Sequence, residues 1–252
     1  MPKSKRNRVL PTSKTTKKTP EHKKILAQSI QSAASSHPYI YVFSVADMRN
    51  NFIKDLRNTL SESSESRIML GKTRIMAIAL GTTPETACED GVEGLAPYLR
   101  GEVGLLFSDR EENSVKEVLE SARRPDFARS GNVASRIFTL PRGQELFTQY
   151  GVDGGEDDPI PMAVEPQLRK LGVPTKVVRG KVFLEEGAGM DDDEGYVVCR
   201  EGEVLDSRQT TLLKIFGVRM AEFRVRLLAK WEKASGQVTE LEAPEAGMEV
   251  DI

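Results

Sequence analysis

Strand-like and helix-like periods alternate from Tyr39 to Arg123, and then the alternation stops. This is the strongest constraint on the fold, because strands that take turns with helices build a layered α/β domain. Tyr39-Ile40-Tyr41-Val42-Phe43 is a dense run of β-formers and reads as a buried strand. Asp47 is placed to cap a helix reaching about Leu60, with Phe52, Leu56 and Leu60 as its inner stripe. Arg67–Leu70 reads as a short strand, and Lys72–Leu80 as a helix stopped by Gly81. Val103–Phe107 is another strand and Glu111–Arg123 another helix.

From about Pro125 to Leu205 glycine and proline become frequent. Thr175–Arg179, Lys181–Leu184 and Tyr196–Cys199 read as short strands, with an acidic hairpin tip between the last two that includes residues 191–194. A helical pattern returns at Ser207–Phe216, with Leu212, Leu213 and Phe216 as its stripe. In Glu222–Trp231 apolar and charged residues alternate, broken on the outer face only by Leu228. That period of two is a strand with a basic-leaning outer face, and it rejoins the first layer. The expected organisation is a flexible basic arm (1–24), an α/β domain (25–124 plus 207–238), a smaller β-rich inserted domain (125–206) and an acidic tail (239–252).

Charge is segregated along the chain. Residues 1–24 hold nine Lys or Arg against the single acid Glu21, while Glu240, Glu242, Glu245, Glu249 and Asp251 close the chain with no base. The net charge of −2 hides this asymmetry. A basic end points toward nucleic acid. Its Lys/Arg clusters suit a nuclear address or an RNA-phosphate contact, with a merely solubilising tail as the alternative. No run of 18 or more apolar residues exists, so no transmembrane span is expected. The basic start lacks the apolar stretch of a secretory signal. Cys88 and Cys199 stand alone, which argues against a disulfide framework or zinc ribbon and for two buried thiols in a reducing compartment.

Gly71-Lys72-Thr73 follows a strand and opens a helix, as a phosphate-binding loop does. A true P-loop needs a second glycine five residues earlier, where this chain has Ser66, so nucleotide hydrolysis is not expected. The same residues suit a simpler task. A helix N-terminus attracts phosphate, Lys72 and Arg74 add charge, and Gly71 lets a backbone come close. An ordinary glycine turn fits equally well. Asn50, Lys54 and Arg57 share one helix face, which reads either as solvated surface or as phosphate contacts. His22 and His37 join no catalytic pattern, Glu156-Asp157-Asp158 reads as a loop, and Asp191-Asp192-Asp193-Glu194 lacks calcium-loop spacing. No enzyme, cofactor or metal is expected.

Several segments together resemble a known family. Tyr41-Val42-Phe43-Ser44 leading into Asp47-Met48-Arg49-Asn50-Asn51 is similar to the strand and first helix of the large-subunit ribosomal stalk-base proteins. So is Gly71-Lys72-Thr73-Arg74-Ile75-Met76, with Thr73 where Asn is usual. The segment from Glu165 to Thr175, Val177-Val178-Arg179-Gly180 and Leu212-Leu213-Lys214-Ile215-Phe216-Gly217 resemble the assembly-factor branch, the mRNA turnover protein 4 family. The Pro-Lys-Ser-Lys-Arg start and Met220-Ala221-Glu222-Phe223 also fit, so the resemblance spans roughly residues 1–235.

The resemblance implies an α/β rRNA-binding domain interrupted by an inserted domain. It implies a placeholder on stalk-base rRNA of the large-subunit precursor, later replaced by the ribosomal stalk protein. RNA contacts carry over to Arg49, Asn50, Lys54, Arg57, Lys72, Thr73 and Arg74, and Gly71 joins them from the phosphate reading above. Expected partners are the rRNA, neighbouring ribosomal proteins and assembly factors, and a release factor, with no membrane. The expected location is nucleolus and nucleus, with passage to the cytoplasm on precursor particles. The stalk protein's recruiting helices, hinge and acidic-aromatic tail find no counterpart before Ile252. The rival readings are a mature stalk-base ribosomal protein and an enzyme, either a nucleotide hydrolase around Lys72 or an RNA-processing nuclease.

Overall fold

The computed structural model describes residues 20–63, 66–148, 158–185 and 195–241. Its first elements are α1 (Pro20–Ser36), β1 (Tyr39–Ala46), α2 (Asn50–Ser63), β2 (Arg67–Met69), α3 (Thr73–Leu80), β3 (Val103–Ser108) and α4 (Glu112–Ser121). Short pieces follow: β4 (Arg124–Asp126), β5 (Phe138–Leu140), β6 (Phe147–Thr148), β7 (Asp158–Pro159), α5 (Glu165–Lys170), β8 (Thr175–Val178), β9 (Lys181–Leu184) and β10 (Tyr196–Cys199). The chain returns to longer elements in α6 (Ser207–Ile215), β11 (Ala221–Glu232) and β12 (Gln237–Glu240).

These elements form two compact units. The first takes in the described residues up to Ser44, Arg57–Lys116, and those from Arg226 on. Its strands run in the order β12-β11-β1-β3-β2. β1 pairs antiparallel with β3, Tyr39 opposite Ser108, and β2 pairs antiparallel with β3. Ile40, Tyr41, Val42 and Phe43 are all buried, as is every residue of β3. A strand loses its polar face when it is covered on both sides, which is why this run shows no alternation. Ile30, Ala33 and Ala34 of α1, Met76 and Leu80 of α3, and Leu228 and Trp231 of β11 share one core. Leu228 breaks the period of two because it belongs to that core.

One backbone contact there admits only glycine. Gly91 has φ +77, and a Cβ on it would lie 1.8 Å from the carbonyl oxygen of Gly236. Gly91→Ala should therefore lower stability by about 1–3 kcal/mol from conformation alone, read as a lower urea midpoint. An unchanged midpoint would mean that the β11–β12 turn moves aside.

The second unit holds Val45–Leu56 and Glu117–Val225. β5 pairs with β10, β6 with β7 and β8 with β9, all antiparallel, and the start of β11 pairs with β4. Its core gathers Phe138, Leu168, Val182, Leu184, Val198, Leu212, Leu213 and Phe216. Phe138 and Phe216 meet with ring centroids 5.8 Å apart. α6 is fixed by a capping box: Asp206 accepts from the Gln209 N–H at 2.6 Å, and the Gln209 side chain accepts from the Asp206 N–H at 2.8 Å. Glu203 accepts from the Arg200 N–H at 2.9 Å and from Gln209 Nε2 at 2.8 Å, which holds its carboxyl below the usual range.

Several expectations are corrected here. The helix at Ser207, expected in the α/β domain, instead puts Leu212, Leu213 and Phe216 in the second unit's core. The hairpin expected between Lys181–Leu184 and Tyr196–Cys199 does not form, because β9 pairs with β8 and β10 with β5. The acidic tip of residues 191–194 lies outside the described residues. Of the arm expected over residues 1–24, the part from Pro20 is helix, and the rest lies outside the described residues. Thr239 and Glu240, assigned to the acidic tail, are strand β12.

Asp47 is not the cap of α2. The first helical bond runs from the Ile53 N–H to the Arg49 carbonyl, and Asp47 instead accepts from Asn132 Nδ2 at 2.5 Å. Phe52 is half-buried against Phe223, and Ile53 takes the inner position expected of it. Cys199 is buried and Cys88 only partly so, with burial pushing both thiols up.

Candidate nucleic-acid interface

The expected RNA contacts fall on α2 and on the turn from β2 into α3. On α2, Asn50, Lys54 and Arg57 are all exposed. At 100° per residue they fall within about 60° of arc. Ile53, Leu56 and Leu60 anchor the helix through a different stripe. Neither Lys54 nor Arg57 has a carboxylate partner among the described residues. Asp55 on the same helix is paired with Arg124 at 3.7 Å.

Arg49 stands apart from this set. Its Nε binds the Asp126 carboxylate and its Nη2 donates to the Phe127 carbonyl at 3.2 Å. That guanidinium already ties the start of α2 to the 126–127 segment. Its sequence position alone gave no hint of the acid that claims it.

At the β2–α3 turn, Gly71, Lys72 and Arg74 are exposed and Thr73 is half-buried. Lys72 occupies the N-cap position with extended backbone and makes no side-chain capping bond. The Lys72 carbonyl takes the first helical bonds, from Ile75 N–H at 2.8 Å and Met76 N–H at 3.1 Å. The N–H groups of Thr73 and Arg74 precede those bonds, so this end offers donors and partial positive charge beside two cations. Met76, Ala79 and Leu80 hold the other side of the helix in the core.

Gly71 has a role that the sequence did not suggest. A Cβ there would come within 2.8 Å of Leu26 Cδ2, so the space beside Gly71 belongs to α1 rather than to an incoming backbone. Ser66 is buried, its hydroxyl 2.8 Å from that of Ser108. Neither position leaves room for the wide nest a P-loop needs. Arg67, exposed on β2 beside buried Ile68, is a further cation near this turn, and the alternation across β2 could have flagged it.

Among the described residues, no group of three or more His, Cys, Asp or Glu is placed to hold a metal ion. No helix among them is long and apolar enough to cross a membrane.

Residues 18–123 match the family described as Ribosomal protein L10, and residues 128–218 match the insertion domain in 60S ribosomal protein L10P. The chain is 48% identical to the ribosome assembly factor mrt4 of Neurospora crassa, over 99% of this chain and 97% of that one. It is 32% identical to the ribosome assembly factor MRT4 of Saccharomyces cerevisiae, over 94% and 97%. To the large ribosomal subunit protein uL10 of Thermococcus sibiricus it is 22% identical, over 84% of this chain but 56% of that protein. A mixed α/β domain joined to an L10P-type insertion, with near full-length identity to these factors, makes this chain a member of the ribosome assembly factor Mrt4 family, paralogous to the ribosomal stalk-base proteins.

Proposed function

We propose that this protein is a non-enzymatic ribosome biogenesis factor that holds the stalk-base rRNA of the large-subunit precursor until the ribosomal stalk protein replaces it. The observation that carries the reading is the pair of exposed cationic sets, Lys54 with Arg57 on α2 and Lys72 with Arg74 at α3, none neutralised by an acid among the described residues. Lysine and arginine with no internal partner supply the salt-sensitive, sequence-independent part of RNA affinity. The much higher identity to the assembly factors than to the stalk protein supports a factor over a mature ribosomal protein.

Exchange follows from physics. Two proteins with similar RNA surfaces compete nearly evenly, so replacement requires differential affinity or a release factor. Ribosomal proteins and assembly factors that neighbour the stalk base complete the partner set. The site of action is then nucleolar and nuclear, with passage to the cytoplasm on the particle.

The test is sedimentation of tagged protein from cell lysate with the rRNA of each fraction identified. Co-migration with large-subunit precursors and absence from polysomes is expected. Stoichiometric presence in polysomes would make it a ribosomal protein. Migration only as free protein would sink the ribosomal reading and reopen the enzyme one.

A further inference from the structure

We infer that the second unit carries its own RNA-backbone site, a groove between the segment Asp126–Ser130 and helix α6. The proposal rests on the RNA-binding reading above and adds a contact that neither the Lys54–Arg57 face of α2 nor α3 supplies. The groove is open, about 710 Å³, and is lined by Phe52 and Phe127, by Arg49 and Arg129, and by Thr210, Thr211 and Lys214 of α6.

Its charge is positive and local. Asp126 is the one carboxylate in the lining, and the Arg49 guanidinium already neutralises it. Arg129 donates to the Met48 carbonyl at 2.7 Å, a neutral acceptor that fixes the guanidinium without cancelling its charge. Lys214 is exposed in the last turn of α6 and has no carboxylate partner among the described residues. Two cations flanking one open groove suit successive phosphates.

The hydroxyls add a second feature. Thr210 and Thr211 both donate to the Ser207 carbonyl, at 3.1 and 2.7 Å. Their protons are thereby used within the helix, and their lone pairs remain free to accept. A ribose 2′-OH is a donor that can use them, whereas deoxyribose has no such group. The edges of Phe52 and Phe127 give apolar surface for a sugar or base. Each ring already has an arginine over it, Arg124 and Arg219, both at 5.8 Å from the centroid. An acidic peptide would use the cations but leave the hydroxyl acceptors unmatched, so the chemistry favours RNA.

The test uses full-length protein with a 4-thiouridine-containing single-stranded RNA decamer and its deoxy counterpart. Expected are crosslinks on residues 126–130 or α6, tighter binding of the ribo form, and a salt slope lower by about 0.7 in Lys214→Ala. Lys214→Arg should restore that slope. Lys214 is exposed, so an unchanged melting temperature verifies that the variant folds. Crosslinks confined to Lys54–Arg57 and α3, with an unchanged slope in Lys214→Ala, would overturn this site and leave the first reading intact. Equal binding of the two decamers would overturn the 2′-OH contact. Displacement of the RNA from α6 by oligoglutamate at lower concentration would reassign the groove to an acidic peptide. No RNA binding at all would sink both readings together.

Discussion

Replacing Lys54, Arg57, Lys72 and Arg74 together by alanine should strip most of the salt-dependent affinity for a stalk-base rRNA fragment. Each phosphate contact contributes about 0.9 to the slope of log affinity against log salt on a duplex. Four lost contacts flatten the slope by about 3.6. Between 50 and 200 mM salt, that difference alone is worth on the order of a hundredfold. Fold should survive, because all four side chains are exposed and none is in an ion pair among the described residues. The measurement is a salt series of binding curves for both proteins, with a thermal melt as control. A variant whose slope matches the unmodified protein would mean that these groups face solvent on the particle. Arg49→Ala offers an internal contrast. Its guanidinium is engaged by Asp126 and Phe127, so its loss should show in the melt rather than in the slope.

The first unit was largely legible because its signals are local. A run such as Tyr39–Phe43 can only be a buried strand, and Leu228 identified itself by breaking a period of two. α3 announces both ends, with Gly71 before it and Gly81 after it. The second unit was harder because its strands are two to four residues long and pair with distant partners. β9 and β10 are neighbours in sequence, so a hairpin is the simplest reading, yet β10 finds β5 more than fifty residues earlier. α6 misled for a related reason. Its stripe of Leu212, Leu213 and Phe216 says that one face is buried but not against what. Only the packing on Phe138 and Leu168 assigns it.

The candidate site divides along the same line. Exposure of Lys54 and Arg57 follows from helical spacing and both are exposed, while Lys72 and Arg74 are exposed at the start of α3. Whether a cation is free depends on what lies across from it. Arg49 and Lys54 look alike in sequence, but one meets Asp126 and the other meets none among the described residues. Gly71 shows the same limit. A glycine before a helix announces a close approach, and only the position of Leu26 reveals that the approaching group is the chain's own α1.

Trp231→Ala should be the most destabilising single change in the first unit, at about 3–5 kcal/mol. The indole is 1% exposed and shares a core with α1, α3, β1 and β3. Its Nε1 also donates to the Asp90 carbonyl at 3.1 Å, beside the Gly91–Gly236 contact. Removing it opens a cavity and orphans an acceptor at one point. A domain of this size has about 5–15 kcal/mol in total, so the loss is a large share of what holds the unit folded. Trp231→Phe keeps most of the apolar bulk but not the donor, and should cost a smaller amount, about 1–3 kcal/mol. Urea midpoints give the magnitudes, and amide hydrogen exchange locates them. Protection should fall first at β1, β3 and α3, the elements whose core the indole completes. The RNA affinity proposed for Lys72 and Arg74 should then fall in step with the folded fraction of that unit, with the salt slope unchanged. A midpoint shift below about 1 kcal/mol would mean that the core closes over the missing ring, and that β11 is held in the sheet by its backbone ladder rather than by this side chain.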